Sequence, residues 1–131
     1  MSAMSGNPVA LSLTTDRARY APTEPVEVTL VNGSTASLYT SDHQTCCSII
    51  SLRLWTGNVW TPVGNCMMMT ASRIIEIAPG ATMRVTLTPG AGMLRALPWP
   101  AGTYRAILRY TLAPGGPGDA LTLESAEFVV A

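Results

Sequence analysis

The sequence predicts an all-β chain that folds as a single antiparallel β-sandwich of about eight or nine strands. Apolar and polar side chains alternate with a period of two in several segments, and Pro- and Gly-rich turns separate these segments. The length of 131 residues fits one domain. Hydrophobic residues make up 47% of the chain and charged residues 12%, so we expect a chain that buries a core rather than a disordered one.

The alternating segments define the expected strands, each with one buried and one wetter face. The clearest runs are residues 9–14, 26–30, 50–54, 83–88 and 104–112. Shorter strands are expected around residues 36–40, 59–63, 72–77 and 121–130. In the last of these the apolar phase shifts between Leu123 and Phe128, which predicts a β-bulge near Ser125. Residues 92–97 are the helix candidate, with room for at most one short helical turn before Pro98.

Residues 1–8 are expected to form a flexible N-terminal segment, followed by the sandwich domain over residues 9–131. The first residues lack the charged and apolar regions of a secretory signal. The low charge and abundant Ser and Thr nevertheless favour an extracellular or cell-surface protein, with a cytoplasmic protein as the alternative. Asn32-Gly33-Ser34 matches a glycosylation sequon, and we interpret it as a turn after a strand.

Charge and motifs exclude several classes of function. Eight basic residues, all Arg, balance eight acidic residues, so the basic excess expected of a nucleic-acid-binding protein is missing. The sequence has no apolar run long enough to span a membrane. His43 is the only histidine, and Asp42 beside it would point to the opposite side of a strand. Since no catalytic motif is found either, we predict that the chain is not an enzyme and needs no cofactor.

Tyr104 lies two residues after Gly102, at the start of a late strand. This position is typical of the tyrosine corner of sandwich domains, in which the hydroxyl bonds an upstream backbone group. The bond fixes the crossover between the two sheets. We therefore interpret Tyr104 as a structural residue.

Three segments carry a resemblance to a known group of proteins. They are RYAPTEPVEVTLVNGS at residues 19–34, the Pro-Gly pair at residues 79–80, and PAGTY at residues 100–104. In this order they resemble bacterial immunoglobulin-like domains, and within that group the intracellular proteinase inhibitor type. The resemblance implies an immunoglobulin-like β-sandwich and makes proteinase inhibition an alternative function. No inhibitory loop can be matched to this sequence.

Gly57 and Asn58 are typical of the two central residues of a type II′ hairpin turn. This turn pairs Trp55 with Trp60 and places both rings near Arg53, on the face opposite the apolar side chains of residues 50–54. Trp and Arg are enriched at binding hot spots, so these three residues are the candidate contact surface. The alternative is that the two rings stack only to stabilise the hairpin.

The same hairpin register relates the cysteines. Continued away from the turn, it places Ile49 opposite Cys66 and Cys47 diagonal to Cys66, while Cys46 has the wrong parity. A bulge around residues 62–64 would bring Cys47 and Cys66 directly opposite. We predict a Cys47–Cys66 disulfide that contributes about 3 kcal/mol, with Cys46 as a free thiol.

His43, Cys46, Cys47 and Cys66 also suggest a metal site. Thiolates, and the thioethers of the Met run at residues 67–69, are soft ligands that suit Cu(I), and imidazole suits Cu or Zn. The sequence lacks the paired Cys spacing of structural zinc sites, and a disulfide would consume two of the thiols. Copper binding is therefore an alternative to the disulfide.

Taken together, the sequence predicts a non-enzymatic immunoglobulin-like binding or structural module of a surface or secreted assembly. Its partner would be a protein or a glycan, bound through the Trp55–Trp60 hairpin. Alternatively, the apolar C-terminal strand at residues 126–131 would act as an edge that pairs with a neighbouring chain. Two different functions also fit the sequence, namely a proteinase-inhibitor-like domain and a copper carrier.

Overall fold

The computed structural model describes residues 10–41, 48–63, 73–89, 98–114 and 120–131. All regular elements within these ranges are β-strands, which confirms the all-β prediction. The strands are β1 (Leu11–Thr15), β2 (Arg19–Tyr20), β3 (Val26–Asn32), β4 (Leu38–Ser41), β5 (Ile50–Trp55), β6 (Trp60–Val63), β7 (Ile74–Ile77), β8 (Thr82–Leu87), β9 (Gly102–Tyr110), β10 (Leu121–Glu124) and β11 (Phe128–Val130). The predicted N-terminal segment and the helical turn at residues 92–97 lie outside the described ranges.

The strands form two main layers and a small third sheet. One layer is an antiparallel sheet in the order β1-β3-β8. The other has the order β2-β11-β9-β5-β6, with β10 also paired to β9. The small sheet joins β4 to β7, and an isolated bridge between Tyr39 and Thr111, together with a bond from the Thr40 hydroxyl to the Arg109 carbonyl, connects it to the end of β9. The placement of β1, β3 and β8 against β5, β9 and β11 is the strand order of an immunoglobulin-type sandwich.

The core lies between the two layers, as the alternation of the sequence predicts. On β3, Val26, Val28 and Leu30 are buried, and on β9, Tyr104 and Leu108 are buried, all in one contiguous cluster. The residues between those of β3 face outward and are more exposed. A period of two thus places the apolar side chains of both layers on facing surfaces.

The strand count and one burial differ from the prediction. Eleven strands are present in the described ranges instead of eight or nine, because Arg19–Tyr20 is too short to show a period and a bulge divides the last run. Ile107 has the outward phase of β9 and is nevertheless only 3% exposed. The alternation of apolar and polar residues does not predict that a side chain on the outer face of a sheet is buried.

The β-bulge predicted near Ser125 is present. Glu124 pairs with Ile107 and Phe128 pairs with Tyr104, so four steps along one strand match three along the other. The extra residue lies between β10 and β11. Ser125 fills the interruption, since its N–H donates to the Ala106 carbonyl and its hydroxyl accepts the Ala106 N–H. The bulge allows both halves of the last strand to pair with β9.

Asn32, the last residue of β3, is fully buried. Its amide Nδ2 donates to the carbonyls of Ala36, Ile77 and Ala78, at 2.9, 3.0 and 3.2 Å. Its Oδ1 accepts from the N–H and the hydroxyl of Ser34. The amide therefore joins the end of β3 to the end of β7, and the sequon nitrogen is not accessible to a glycan in the folded chain.

The segment before β9 is fixed by two aromatic residues. Trp99 is buried, its backbone N–H donates to the Pro22 carbonyl, and its indole N–H donates to the Glu24 carbonyl, both at 2.8 Å. The Tyr104 hydroxyl donates to the Pro100 carbonyl at 2.5 Å, the upstream backbone bond that a tyrosine corner makes. Alternation does not predict the role of Trp99, because this residue lies outside the strands.

Replacement of Asn32 tests the importance of its buried amide. Asn32→Ala leaves several backbone carbonyls without their donor, so we expect it to lower the free energy of unfolding by about 2–4 kcal/mol. Asn58→Ala in the exposed hairpin turn is the matched control and should change it by less than about 0.5 kcal/mol. Urea unfolding measures both variants, and equal small effects would contradict the role of Asn32.

Because the Tyr104 hydroxyl is buried, we expect the free energy of unfolding to fall at alkaline pH. Burial raises the pKa of Tyr104 from its ordinary value of 10.0 to about 12, so the folded chain keeps a proton that the unfolded chain releases. The contribution of this group to the free energy of unfolding is fully present below pH 10 and is lost as the pH rises towards 12. The loss is at most about 2–3 kcal/mol. We expect urea unfolding at a series of pH values to show this decline.

Tyr104→Phe is the control for this decline. It should cost about 1 kcal/mol at neutral pH through the lost hydrogen bond, and its stability should fall less steeply above pH 10. Burial, followed by the bond to Asp16, also raises the pKa of Tyr20, so part of the alkaline decline should remain in the variant. The chain has no Lys, which removes the other common group that titrates in this range. Identical slopes for the two proteins would refute the assignment to Tyr104.

Candidate binding surface

The predicted hairpin is formed by β5 and β6. Trp55 pairs with Trp60, and the Thr56 N–H donates to the Val59 carbonyl at 3.0 Å, as the two-residue turn requires. Gly57 has a φ of 103°, a conformation that residues with a side chain rarely adopt. The predicted register of the hairpin is therefore confirmed over the described pairs.

Trp55 and Trp60 lie on the outward face of the sheet. Their ring centroids are 5.3 Å apart with the planes tilted by 53°. Ile50 and Leu52, with the opposite phase on β5, are buried in the core. Trp55 remains 42% exposed and Trp60 is partly exposed. The pair therefore presents aromatic surface to solvent.

Arg105 on β9 completes this surface. Its guanidinium lies 4.5 Å from the centroid of the Trp60 ring. Two carboxylates hold it there, Glu124 at 2.9 Å from Nη1 and Glu127 at 3.1 Å from Nη2. The planar guanidinium thus stacks on the ring while its N–H groups are bound at the edge, which fixes the position of Trp60.

The sequence pattern predicted Arg53, not Arg105, beside the Trp pair. Both arginines point outward, and they lie directly opposite each other on β5 and β9. Arg105 was missed because its neighbours come from the pairing of two strands that are distant in the sequence. The only signal for it in the sequence is its outward phase in the alternating run that begins at Tyr104.

Arg53 occupies the less favourable of these two positions. Its neighbour on β6 is Pro62, which offers no charge and no N–H, and its neighbour on β9 is the like-charged Arg105. Arg53 Nε is buried and has no hydrogen-bond partner within the described part of the chain. No carboxylate among the described residues forms an ion pair with it.

These side chains surround an open depression of about 310 Å³. Its lining residues are Trp55, Trp60, Thr103, Arg105 and Glu127. The ring faces can pack against apolar groups, and the polar side chains at the rim can hydrogen bond to a bound molecule. The chemistry of the depression is therefore suited to recognition.

A second group of charged residues, at the start of β2, is structural in character. The Tyr20 hydroxyl donates to Asp16, and Arg17 forms an ion pair with Glu24 at 3.1 Å. Burial, followed by the bond to Asp16, raises the pKa of Tyr20. The Ala21 N–H, followed by Arg17, lowers the pKa of the Glu24 carboxyl. All of these groups bind one another, so the cluster closes the turn between β2 and β3.

The C-terminal strand is not an edge, so the prediction that it would pair with a neighbouring chain is wrong. On one side, β11 pairs antiparallel with β9, and on the other it pairs parallel with β2. The Val129 N–H donates to the Ala18 carbonyl, and the Ala131 N–H donates to the Tyr20 carbonyl. These bonds occupy the backbone groups that a second chain would need.

The predicted disulfide and metal residues lie outside the described ranges. These residues are His43, Cys46, Cys47 and Cys66. Both the Cys47–Cys66 pairing and the copper site therefore stay predictions. Among the residues that the structure does describe, no three His, Cys, Asp or Glu side chains are grouped so as to hold a metal ion. The described part of the chain also has no helix with the length and apolarity needed to cross a membrane.

Comparisons with known proteins returned no matching family model and no matching curated protein. Among solved structures, the chain is similar to part of a β-glucosidase, EmGH1, from Erythrobacter marinus, with 14% identity and a TM-score of 0.41. It is also similar to part of a cycloisomaltooligosaccharide glucanotransferase from Paenibacillus sp., with 19% identity and a TM-score of 0.39. A β-glucosidase from Listeria innocua gives 18% identity and a TM-score of 0.37.

These likenesses cover most of this chain but little of the other proteins. The alignments include 92%, 87% and 92% of this chain, in the same order. They include only 15%, 13% and 16% of the respective enzyme chains. The activities named for those enzymes belong to far longer proteins.

A double-mutant cycle measures the contact between the two Trp rings. We expect Trp55→Ala and Trp60→Ala to be coupled by about 0.5–1.5 kcal/mol in the free energy of unfolding, as is usual for aromatic pairs. The control cycle combines Trp55→Ala with Leu112→Ala, beyond the far end of β9, and should be additive within about 0.5 kcal/mol. Additivity in both cycles would show that the ring contact adds nothing to stability.

Proposed function

We propose that this chain is a non-enzymatic immunoglobulin-like binding module of a surface or secreted assembly, and that the Trp55–Trp60 pair is the centre of its contact surface. The observation that carries the proposal is the position of the pair. Two Trp rings lie on the outward face of the sheet, and Trp55 is 42% exposed. Exposed aromatic side chains that lie together can anchor a partner, because Trp is enriched among the residues that dominate binding energy.

The surroundings of the pair support a role in recognition. Arg105 is held against Trp60 by Glu124 and Glu127, so the surface is ordered before a partner arrives. A preorganised surface loses little side-chain entropy on binding. Trp and Arg are also the residues that most often dominate binding energy in protein interfaces. These features favour a protein partner over a glycan.

Proteinase inhibition and copper transport have weaker support. Proteinase inhibition rests on the resemblance of residues 19–34, 79–80 and 100–104, which reports strand starts and a tyrosine corner. Copper transport rests on His43 and the three cysteines. No contact among the described residues favours either function.

Replacement of Trp55 tests the proposal. Wild-type protein, Trp55→Ala and Leu112→Ala are immobilised and exposed to extract and medium of the cells in which the protein occurs. Leu112 is a matched control because it is also apolar and is 59% exposed. We expect partners captured by the wild type and by Leu112→Ala to bind Trp55→Ala at least about tenfold more weakly, a loss of about 1.4 kcal/mol.

The captured protein is then titrated against all three chains by calorimetry. Near-UV circular dichroism and urea unfolding confirm that Trp55→Ala is folded. Equal affinity of the wild type and Trp55→Ala would remove the Trp pair from the contact surface and with it the proposed function.

A further inference from the structure

The outward face of the β11-β9-β5-β6 layer carries positive charge that the described carboxylates do not neutralise. Arg53 on β5 and Arg105 and Arg109 on β9 all have the outward phase. Of these three, Arg105 forms ion pairs, with Glu124 and Glu127. Arg53 and the exposed Arg109 have no carboxylate partner among the described residues.

The clearest case of unneutralised positive charge on this face is Arg53. It faces the like-charged Arg105 across the strand pair, and like charges at directly opposed positions destabilise a sheet. Its buried Nε also lacks a hydrogen-bond partner among the described residues, which is a cost in the isolated chain. A partner carboxylate placed against the outer Nη groups of Arg53 would relieve the like-charge cost, because it supplies the opposite charge, whereas the buried Nε lies out of its reach.

We propose that this face binds a segment of a partner protein in which an acidic residue lies next to an apolar one. Arg53 receives the carboxylate, and the exposed ring of Trp55 packs against the apolar side chain. This inference rests on the proposed function, since it names the chemistry of the partner for the same surface. The depression of about 310 Å³ beside the rings has room for one side chain.

Charge separates an acidic protein segment from a continuous polyanion. Glu124 and Glu127 lie on the same face and would repel a row of phosphates or sulfates. The net charge of the chain is zero, so long-range attraction to a polyanion is absent. A single carboxylate beside apolar groups meets this repulsion only once and depends on contact with Arg53 rather than on long-range attraction.

The backbone indicates that the partner binds to the face of the sheet and not to its edge. The border strand next to the Trp pair is β6, which covers four residues in the described part of the chain and contains Pro62. Proline has no N–H to donate to an added strand. Side-chain contacts from Arg53 and Trp55 must therefore carry the recognition.

A random peptide library displayed on phage tests the inference, with the full chain as bait. We expect the wild type to select peptides enriched in Asp and Glu beside an apolar residue. Resynthesised peptides should bind Arg53→Met about tenfold or more weakly than the wild type. Arg84→Met, at an exposed site on β8 in the other layer, should bind them unchanged. The affinity for the wild type should fall as the salt concentration rises.

The stability of Arg53→Met provides an independent readout. Because the substitution removes a like charge and a buried unpaired Nε, the midpoint of urea unfolding should stay the same or rise. A clear loss of stability would show that Arg53 has a structural role and would overturn its assignment to the partner.

Two further results would overturn the inference. One is selection of peptides without acidic enrichment. If those peptides still require Trp55, the proposed function stands and only the acidic chemistry fails, whereas peptides that bind Trp55→Ala unchanged remove both. The second is an Arg53-dependent affinity for a single-stranded oligonucleotide or a heparin oligosaccharide that equals the affinity for the peptides. That result would assign the surface to a polyanion.

Discussion

The aromatic contact between β9, β11 and β2 is the interaction on which the larger layer depends. Tyr104 stacks on Phe128 with ring centroids 5.5 Å apart, and Phe128 meets the edge of Tyr20 at the same distance. All three rings are buried. They join the start, the late middle and the end of the chain in one cluster, and the tyrosine-corner bond to Pro100 fixes their position. The position of Arg105, next to Tyr104, follows from this cluster, and so does the shape of the candidate binding surface.

Local features of the fold could be predicted from the sequence, because a few neighbouring residues determine them. The Gly57 turn sets the hairpin register, and a change of apolar phase before Phe128 reports the bulge. Both follow from steric rules that act over fewer than ten residues or so. The contact of Trp55 with Trp60 was predictable for the same reason.

Features that depend on distant strands could not be predicted in this way. Arg105 reaches the Trp pair only because β9 lies beside β5, and no local rule specifies that neighbour. Ile107 is buried although its position in the alternation points outward, so its burial depends on parts of the chain that pack on the outer face of the sheet. Arg19–Tyr20 covers β11, but two residues are too few to show a period. Non-local pairing thus determines the charge and the extent of the candidate surface.

The borders of the larger layer have a consequence for the behaviour of the molecule in crowded conditions. The two ends of its strand order are the two-residue strand β2 and β6 with its proline. Neither offers the long, regular row of free amide groups on which sheets of separate molecules stack into fibres. Attraction between the exposed Trp rings is therefore not reinforced by backbone bonding along β2 or along the proline-containing β6.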